Sequence, residues 1–355
     1  LSITATTGNI TQNIALTIGG TSSFTTSASN ATITLSTDSN ALTGAVSAST
    51  VGSSGDVTID NGTTALNLGT VTANGDLSIR GGNGITDSGV ITVSGTSLFN
   101  SDVTAKAITL DSTNAMTGAV SITHTGSANV AIDNGTTALN LGTVTVGQNF
   151  SATSGGAITD SGVITVAGTA TFVTDVNDID IVLDSDNAIT GALTFTTQTG
   201  GSNGADITFD NGTTAISLAA FATEGNLTLQ TDAAIALTGH TVNGDLSVTS
   251  AGAISQSAAL TVSGTSSFTS TGSDNTIILS TNSNALSGVV SASTVGSNGN
   301  ITIDNGTTAL ILGTVTANGA LSIRGGNGIT DNGVITVTGT SLFHSDVTAK
   351  VITLD

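Results

Sequence analysis

The chain repeats itself and contains no proline, and those two facts together restrict the fold more than any other feature. The block D-N-G-T-T-A occurs at Asp60, Asp133, Asp210 and Asp304. The block G-T-(S/A)-x-F ends at Phe24, Phe99, Phe172, Phe268 and Phe343. A third segment, I-(T/S)-x-x-x-x-(I/L)-T-(V/I), starts at Ile10, Ile85, Ile158, Ile254 and Ile329. Its intervals are nearly equal except the third, which is longer. It divides the chain into units 10–84, 85–157, 158–253 and 254–328 and a partial unit 329–355. A longer period lies over the short one, since residues 8–111 align without a gap on 252–355. Self-similarity of this kind marks a stack of supersecondary units, each resting on its neighbours.

Proline is absent from all 355 positions. A continuous parallel sheet uses nearly every interior backbone N–H, and proline has none to donate. Disordered chains rich in small polar residues tend instead to carry proline and few β-branched residues. The apolar fraction is 37%, with no Trp, Tyr or Cys. A thick globular core leans on large aromatic side chains, whereas a core one or two side chains across is filled by Val, Ile, Leu and a few Phe.

Within each unit, apolar and polar residues alternate over short segments: L-T-I at 16–18, I-T-L at 33–35, V-T-I at 57–59, L-S-I at 77–79 and I-T-V at 91–93. Period 2 is the pattern of a strand with one buried face. Turn signals such as Asn61-Gly62 and Asn74-Gly75 bound them. The segment ends Ile18, Leu35, Ile59, Ile79 and Val93 advance in unequal steps that average roughly 19 residues. That step is too short for a β-α unit and suits one turn of a β-solenoid. An antiparallel meander would gain strands in pairs, yet the longer unit 158–253 gains one step, around E-G-N-L-T-L-Q. The expected fold is all-β: a parallel β-helix of about 19 turns, running through 1–355 as one continuous segment of a longer chain. Glycines should occupy left-handed corners, with the Asp and Asn of D-N-G-T-T-A capping them.

Segments such as D-V-T-I-D-N-G and D-L-S-I-R-G-G-N-G, with no Cys or Pro, resemble the repeat regions of giant bacterial surface and secreted proteins, filamentous-haemagglutinin-like adhesins among them. The resemblance spans the whole chain. It implies a right-handed parallel β-helix, a location outside the bacterial cell or on its surface, and a role in a fibre, stalk or adhesin that meets cell-surface glycans or other cells.

The net charge is −20, with Arg80, Lys106, Arg324 and Lys350 as the only Lys and Arg residues. Nucleic acids and anionic lipids require clustered cations, so neither is an expected partner. No apolar run reaches the roughly 18 residues that span a bilayer, and no membrane insertion is expected. Arg80 is expected to bridge to a carboxylate on an adjacent turn. His124, His240 and His344 occupy unrelated repeat positions and are expected at surface or turn sites. The densest acidic run holds Asp175, Asp178, Asp180, Asp184 and Asp186. Asp178 and Asp180 alternate with Ile179 and Ile181, which places both on the outer face. These five are the calcium candidates, since Ca²⁺ takes oxygen ligands; no cofactor is required. The Thr-x-Thr motif of G-T-V-T-A recurs about once per unit, so no continuous threonine ladder is expected. An active site normally interrupts a repeat, and none of these motifs does. The expectation is a structural, self-associating segment with no catalytic residue; the alternative is a glycan-binding or glycan-cleaving β-helix.

Overall fold

The computed structural model describes residues 1–102, 105–201, 204–347 and 350–355. It is an all-β parallel solenoid of about 17 turns, without helix among the described residues. The chain forms two compact units, Leu1–Val176 and Asn177–Asp355.

In the first unit, strands stack in parallel rows on the faces of the coil. One row contains Ser2–Ala5, Ser22–Ser29, Val46–Val51 and Leu66–Ala73, with Ile3, Phe24, Ala48 and Val71 in register. A second contains Ile10–Thr11, Ile33–Leu35, Val57–Asp60, Leu77–Arg80, Ser97–Asn100 and Val120–His124. Its inward positions Leu35, Ile59, Ile79, Phe99 and Ile122 are buried. A third contains Ile85–Asp87, Ile108–Leu110, Val130–Asp133 and Phe150–Ser154. Leu66–Ala73 turns a corner: its first half pairs with Ile85–Asp87 and its second with Ile91–Val93. Gly69 lies at that bend, where a Cβ would collide with Ser47 Oγ, and Gly142 and Gly313 repeat the arrangement against Ser121 and Ser291.

The second unit has the same plan. One row contains Ile207–Asp210, Leu227–Thr231, Leu246–Ser250, Ser266–Ser273 and Val289–Val295. Another contains Ile235–Thr238, Ile254–Ala258, Ile277–Leu279, Ile301–Asp304, Leu321–Gly325 and Ser341–Ser345. Ala222–Thr223, Thr241–Val242, Thr261–Val262 and Ala285–Leu286 form a third.

Alternation along each strand sends Ile, Leu, Val and Phe inward, so like stacks on like. Phe24, Phe99, Phe150, Phe172, Phe209 and Phe268 are fully buried. The rings of Phe150 and Phe172 meet edge to face at 5.9 Å. Each buried large apolar side chain contributes about 1.5–3 kcal/mol, and a handful of phenylalanines suffices because the interior is thin.

Architecture and approximate turn count agree with the sequence reading. One full turn is longer than the average step between segment ends. Residues that stack directly on one another are Leu35 and Ile59, Ile59 and Ile79, and Phe99 and Ile122. The two shortest steps, Ile18 to Leu35 and Ile79 to Val93, join residues on different faces. Ile18 stacks on Leu42, not Leu35. Val93 stacks on Ala73 and Met116, not Ile79.

Candidate functional site

The D-N-G block makes the most constrained corner of the fold. Asp60 ends the strand Val57–Asp60, and its Oδ1 accepts the Gly62 N–H at 2.8 Å. Gly62 has φ +57°, a left-handed conformation that costs glycine little. Asn61 between them is fully buried. Its Oδ1 accepts the Leu42 N–H at 2.8 Å, and its Nδ2 donates to Leu42 O at 3.0 Å and Ala65 O at 2.8 Å. One side chain thereby satisfies both backbone groups of a residue on the preceding turn, where the strand hydrogen bonds are interrupted. Asn134 holds Met116 in the same way, Asn211 holds Ile189 and Asn305 holds Leu286.

A family described as repeats of unknown function (DUF5649) matches residues 1–49, 54–123, 127–196, 224–293 and 298–355. The chain belongs to that family. No curated protein and no solved structure matches it. A DUF5649 repeat is not a whole number of turns. Leu77–Arg80, Ser97–Asn100 and Val120–His124 are the three strands stacked beyond Val57–Asp60 in its row. The strand carrying the next D-N-G block, Val130–Asp133, is the following one, and it lies in the third row. The interval from the first D-N-G block to the second is therefore three turns and one face, which puts the second copy on the next face round.

Two features escape the sequence reading. The first is a second buried asparagine, one turn before each D-N-G corner: Asn40, Asn114, Asn187 and Asn284. Asn40 Oδ1 accepts from Leu16 N, and its Nδ2 donates to Asp60 O, both at 2.8 Å. Asn284 does the same with Leu260 N and Asp304 O. The recurring tripeptide Asn-Ala-(Leu/Met/Ile) is the available signal. The second is the row of outer hydroxyls. Thr249, Thr269, Ser293, Thr316 and Thr336 stand in register, as do Ser247, Ser267 and Ser291. The row is mixed: Ser293 interrupts its threonines and the second column is serine throughout, so it is a hydroxyl row and not a threonine ladder.

The histidines also require a correction. His344 is exposed, 3.0 Å from Asp346, but His124 and His240 are buried. His124 ends an inward-facing strand, with Nδ1 3.3 Å from Ser101 O. His240 lies against the Phe221 ring at 5.1 Å, its backbone between those of Phe221 and Leu260. Burial lowers its pKa from 6.5 to about 4.

Asp175 belongs to the first compact unit and Asp178, Asp180, Asp184 and Asp186 to the second. Asp175, Asp180, Asp184 and Asp186 are exposed. Asp178 is half-buried in a left-handed turn, φ +59°, and not in a strand, so the alternation argument does not reach it. Its Oδ1 accepts the Gly204 N–H at 2.9 Å, as Asp180 Oδ1 accepts that of Asp206. Asn30 and Asp274 cap matching left-handed corners. Among the described residues, no three His, Asp or Glu side chains are grouped to hold a metal.

Arg80 bridges turns as expected. It binds Asp60 on one side, at 2.9 Å, and Asp102 on the other through Nε at 2.7 Å. Those hydrogen bonds, Asp102 foremost, raise its pKa. Arg324 repeats the clamp with Asp304 and Asp346. At the third D-N-G corner, Gln230 Nε2 donates to Asp210 at 2.7 Å instead, and burial pushes that carboxyl up. Arg80→Gln is therefore expected to cost under about 1 kcal/mol, as exposed ion pairs do. Matched urea titrations of the variant and the parent measure it.

Proposed function

We propose that this chain is a structural repeat segment of a bacterial extracellular or cell-surface fibre, stalk or adhesin. It supplies length, stiffness and self-association, without catalysis and without a required cofactor. The observation that carries this reading is repetition down to the hydrogen bond. Asn61, Asp60 and Arg80 in one unit and Asn305, Asp304 and Arg324 in the other make the same contacts. Natural repeats kept this uniform give a scaffold whose stability is a sum of similar nearest-neighbour terms. Outward faces of Ser and Thr, with acidic residues at the corners, add a soluble surface with few cations. Among the described residues no helix is long and apolar enough to cross a membrane.

Sedimentation velocity over a concentration series, with negative-stain microscopy of the same samples, tests the proposal. Growth of elongated assemblies with concentration is expected. A short monomer at every concentration, or turnover of a glycan by the purified protein, would overturn it.

A further inference from the structure

The tripeptide Asp-Asn-Gly occurs five times, and the fold treats one copy differently. Four copies form the buried corners at Asn61, Asn134, Asn211 and Asn305. The fifth is Asp331-Asn332-Gly333, in the same compact unit as Asn211 and Asn305. Asn332 is exposed, and its equivalents two and three repeats earlier, Ser161 and Ser88, are exposed and carry no amide.

Asparagine followed by glycine has an intrinsic chemistry. The glycine nitrogen attacks the asparagine Cγ, a C–N bond forms, and the Cγ–Nδ2 bond breaks. Ammonia leaves, taking with it the proton of the glycine nitrogen. Water then opens the cyclic imide at one of its two carbonyls, giving aspartate or isoaspartate. The reaction needs a side chain free to turn towards its own backbone and a glycine nitrogen free to accept it.

At the buried corners neither condition holds. Asn305 is tied to Leu286 N, Leu286 O and Ala309 O at 2.8, 3.0 and 2.9 Å, and the Gly306 N–H is fixed on Asp304 Oδ1 at 2.9 Å. Rotation of the amide would break three hydrogen bonds in a dry interior and leave Leu286 without partners. Around Asn332 the arrangement is different. Its backbone N–H donates to Leu312 O at 2.8 Å, but among the described residues no hydrogen bond holds its side chain or the Gly333 N–H. Asp331, the counterpart of the capping aspartate, spends its Oδ1 on the Asp355 N–H.

We propose that Asn332-Gly333 is a site of spontaneous covalent modification to aspartate or isoaspartate in the folded protein, and that the fold withholds the same chemistry from the four buried copies. Each event adds one negative charge, and the isoaspartate product also adds a backbone carbon beside the strand Ile335–Val337.

The test is a time course at mildly alkaline pH, on the native chain and on the chain in denaturant, read by peptide mapping with mass spectrometry. Since the local tripeptide is the same, all five copies should react in denaturant. In the native chain Asn332 should react while Asn61, Asn134, Asn211 and Asn305 lag at least tenfold behind. Asn332→Ser should remove the aspartate and isoaspartate products from the early peptide spanning residues 331–333. Native reaction at Asn332 no faster than at Asn305, or native reaction at Asn305 as fast as in denaturant, overturns the proposal.

Discussion

Replacing Asn305 by alanine is expected to destabilise the protein by about 4 kcal/mol, far more than a typical surface substitution. The side chain is fully buried, and three hydrogen bonds join it to backbone groups of Leu286 and Ala309. Its removal leaves the Leu286 N–H and C=O without partners in an interior that offers no replacement. Each such orphan costs about 1–3 kcal/mol. Asn305→Asp separates shape from hydrogen bonding. The carboxylate keeps an acceptor for Leu286 N–H but loses both donors and carries a buried charge. Its pKa should rise in the folded state, so folding takes up a proton, and the penalty should shrink as pH falls. Denaturant titrations of the parent, Asn305→Ala, Asn305→Asp and the exposed control Asn243→Ala provide the comparison. A loss at Asn305 no larger than at Asn243 would mean that the corner is held by something other than this amide.

The weight placed on one asparagine follows from how the solenoid is built. Along its strands, backbone groups of successive turns satisfy one another. At corners the chain changes direction, and that match fails. An asparagine side chain has the donor and acceptor of a peptide group, so it substitutes for the missing backbone partner. Asn40 and Asn61 together stitch Leu16, Leu42 and Asp60 across successive turns. The Asp and Gly of this corner are legible in the sequence because their roles are local: a cap and a positive φ. Two of the three hydrogen bonds of Asn61 reach Leu42, a full turn away along the chain, and only the turn length reveals that partner.

The same distinction separates what is legible elsewhere. Period-2 alternation specifies which of Ile59, Ile79 and Thr58 face inward, because facing is a property of the strand alone. It does not specify which face a strand occupies, so Ile18 and Leu35 read as neighbours when they are not. Alternation does not apply at Asp178, because the chain there leaves the strand in a left-handed turn, a conformation that its neighbours Asn177 and Ile179 do not signal. The hydroxyl row through Thr249, Thr269 and Ser293 is invisible as a motif because different segments contribute to it. His124 and His240 read as surface residues when a polar residue type is taken without its register. His240 occupies the position filled by the half-buried Phe221 on the turn before and the fully buried Leu260 on the turn after.

That register gives His240 the second large effect. Burial lowers its pKa in the folded chain from 6.5 to about 4. Its Nε2 is 3.4 Å from Thr238 N, and Nδ1 has no partner. Unfolded, the imidazole takes up a proton below about pH 6.5; folded, it does so only near pH 4. The unfolded state therefore binds more protons in that window, and stability must fall as pH drops through it. The stabilisation is complete above the unfolded value, and its loss levels off below the folded one. A shift of this size corresponds to about 3 kcal/mol. Other groups titrate in the same range: Asp346 and Asp274 are held below the usual carboxylate range, the first by Arg324 and the second by the Ser297 and Asn298 N–H groups. The pH dependence of the parent alone therefore mixes several contributions. His240→Leu isolates the one in question, since leucine already fills the next turn at Leu260. At pH 8 the variant should match or exceed the parent. Between pH 6.5 and 4 the gap should widen by about 3 kcal/mol in favour of the variant, seen as a melting temperature that declines less steeply on acidification. Parallel pH curves for the two proteins would show that His240 does not carry the acid sensitivity.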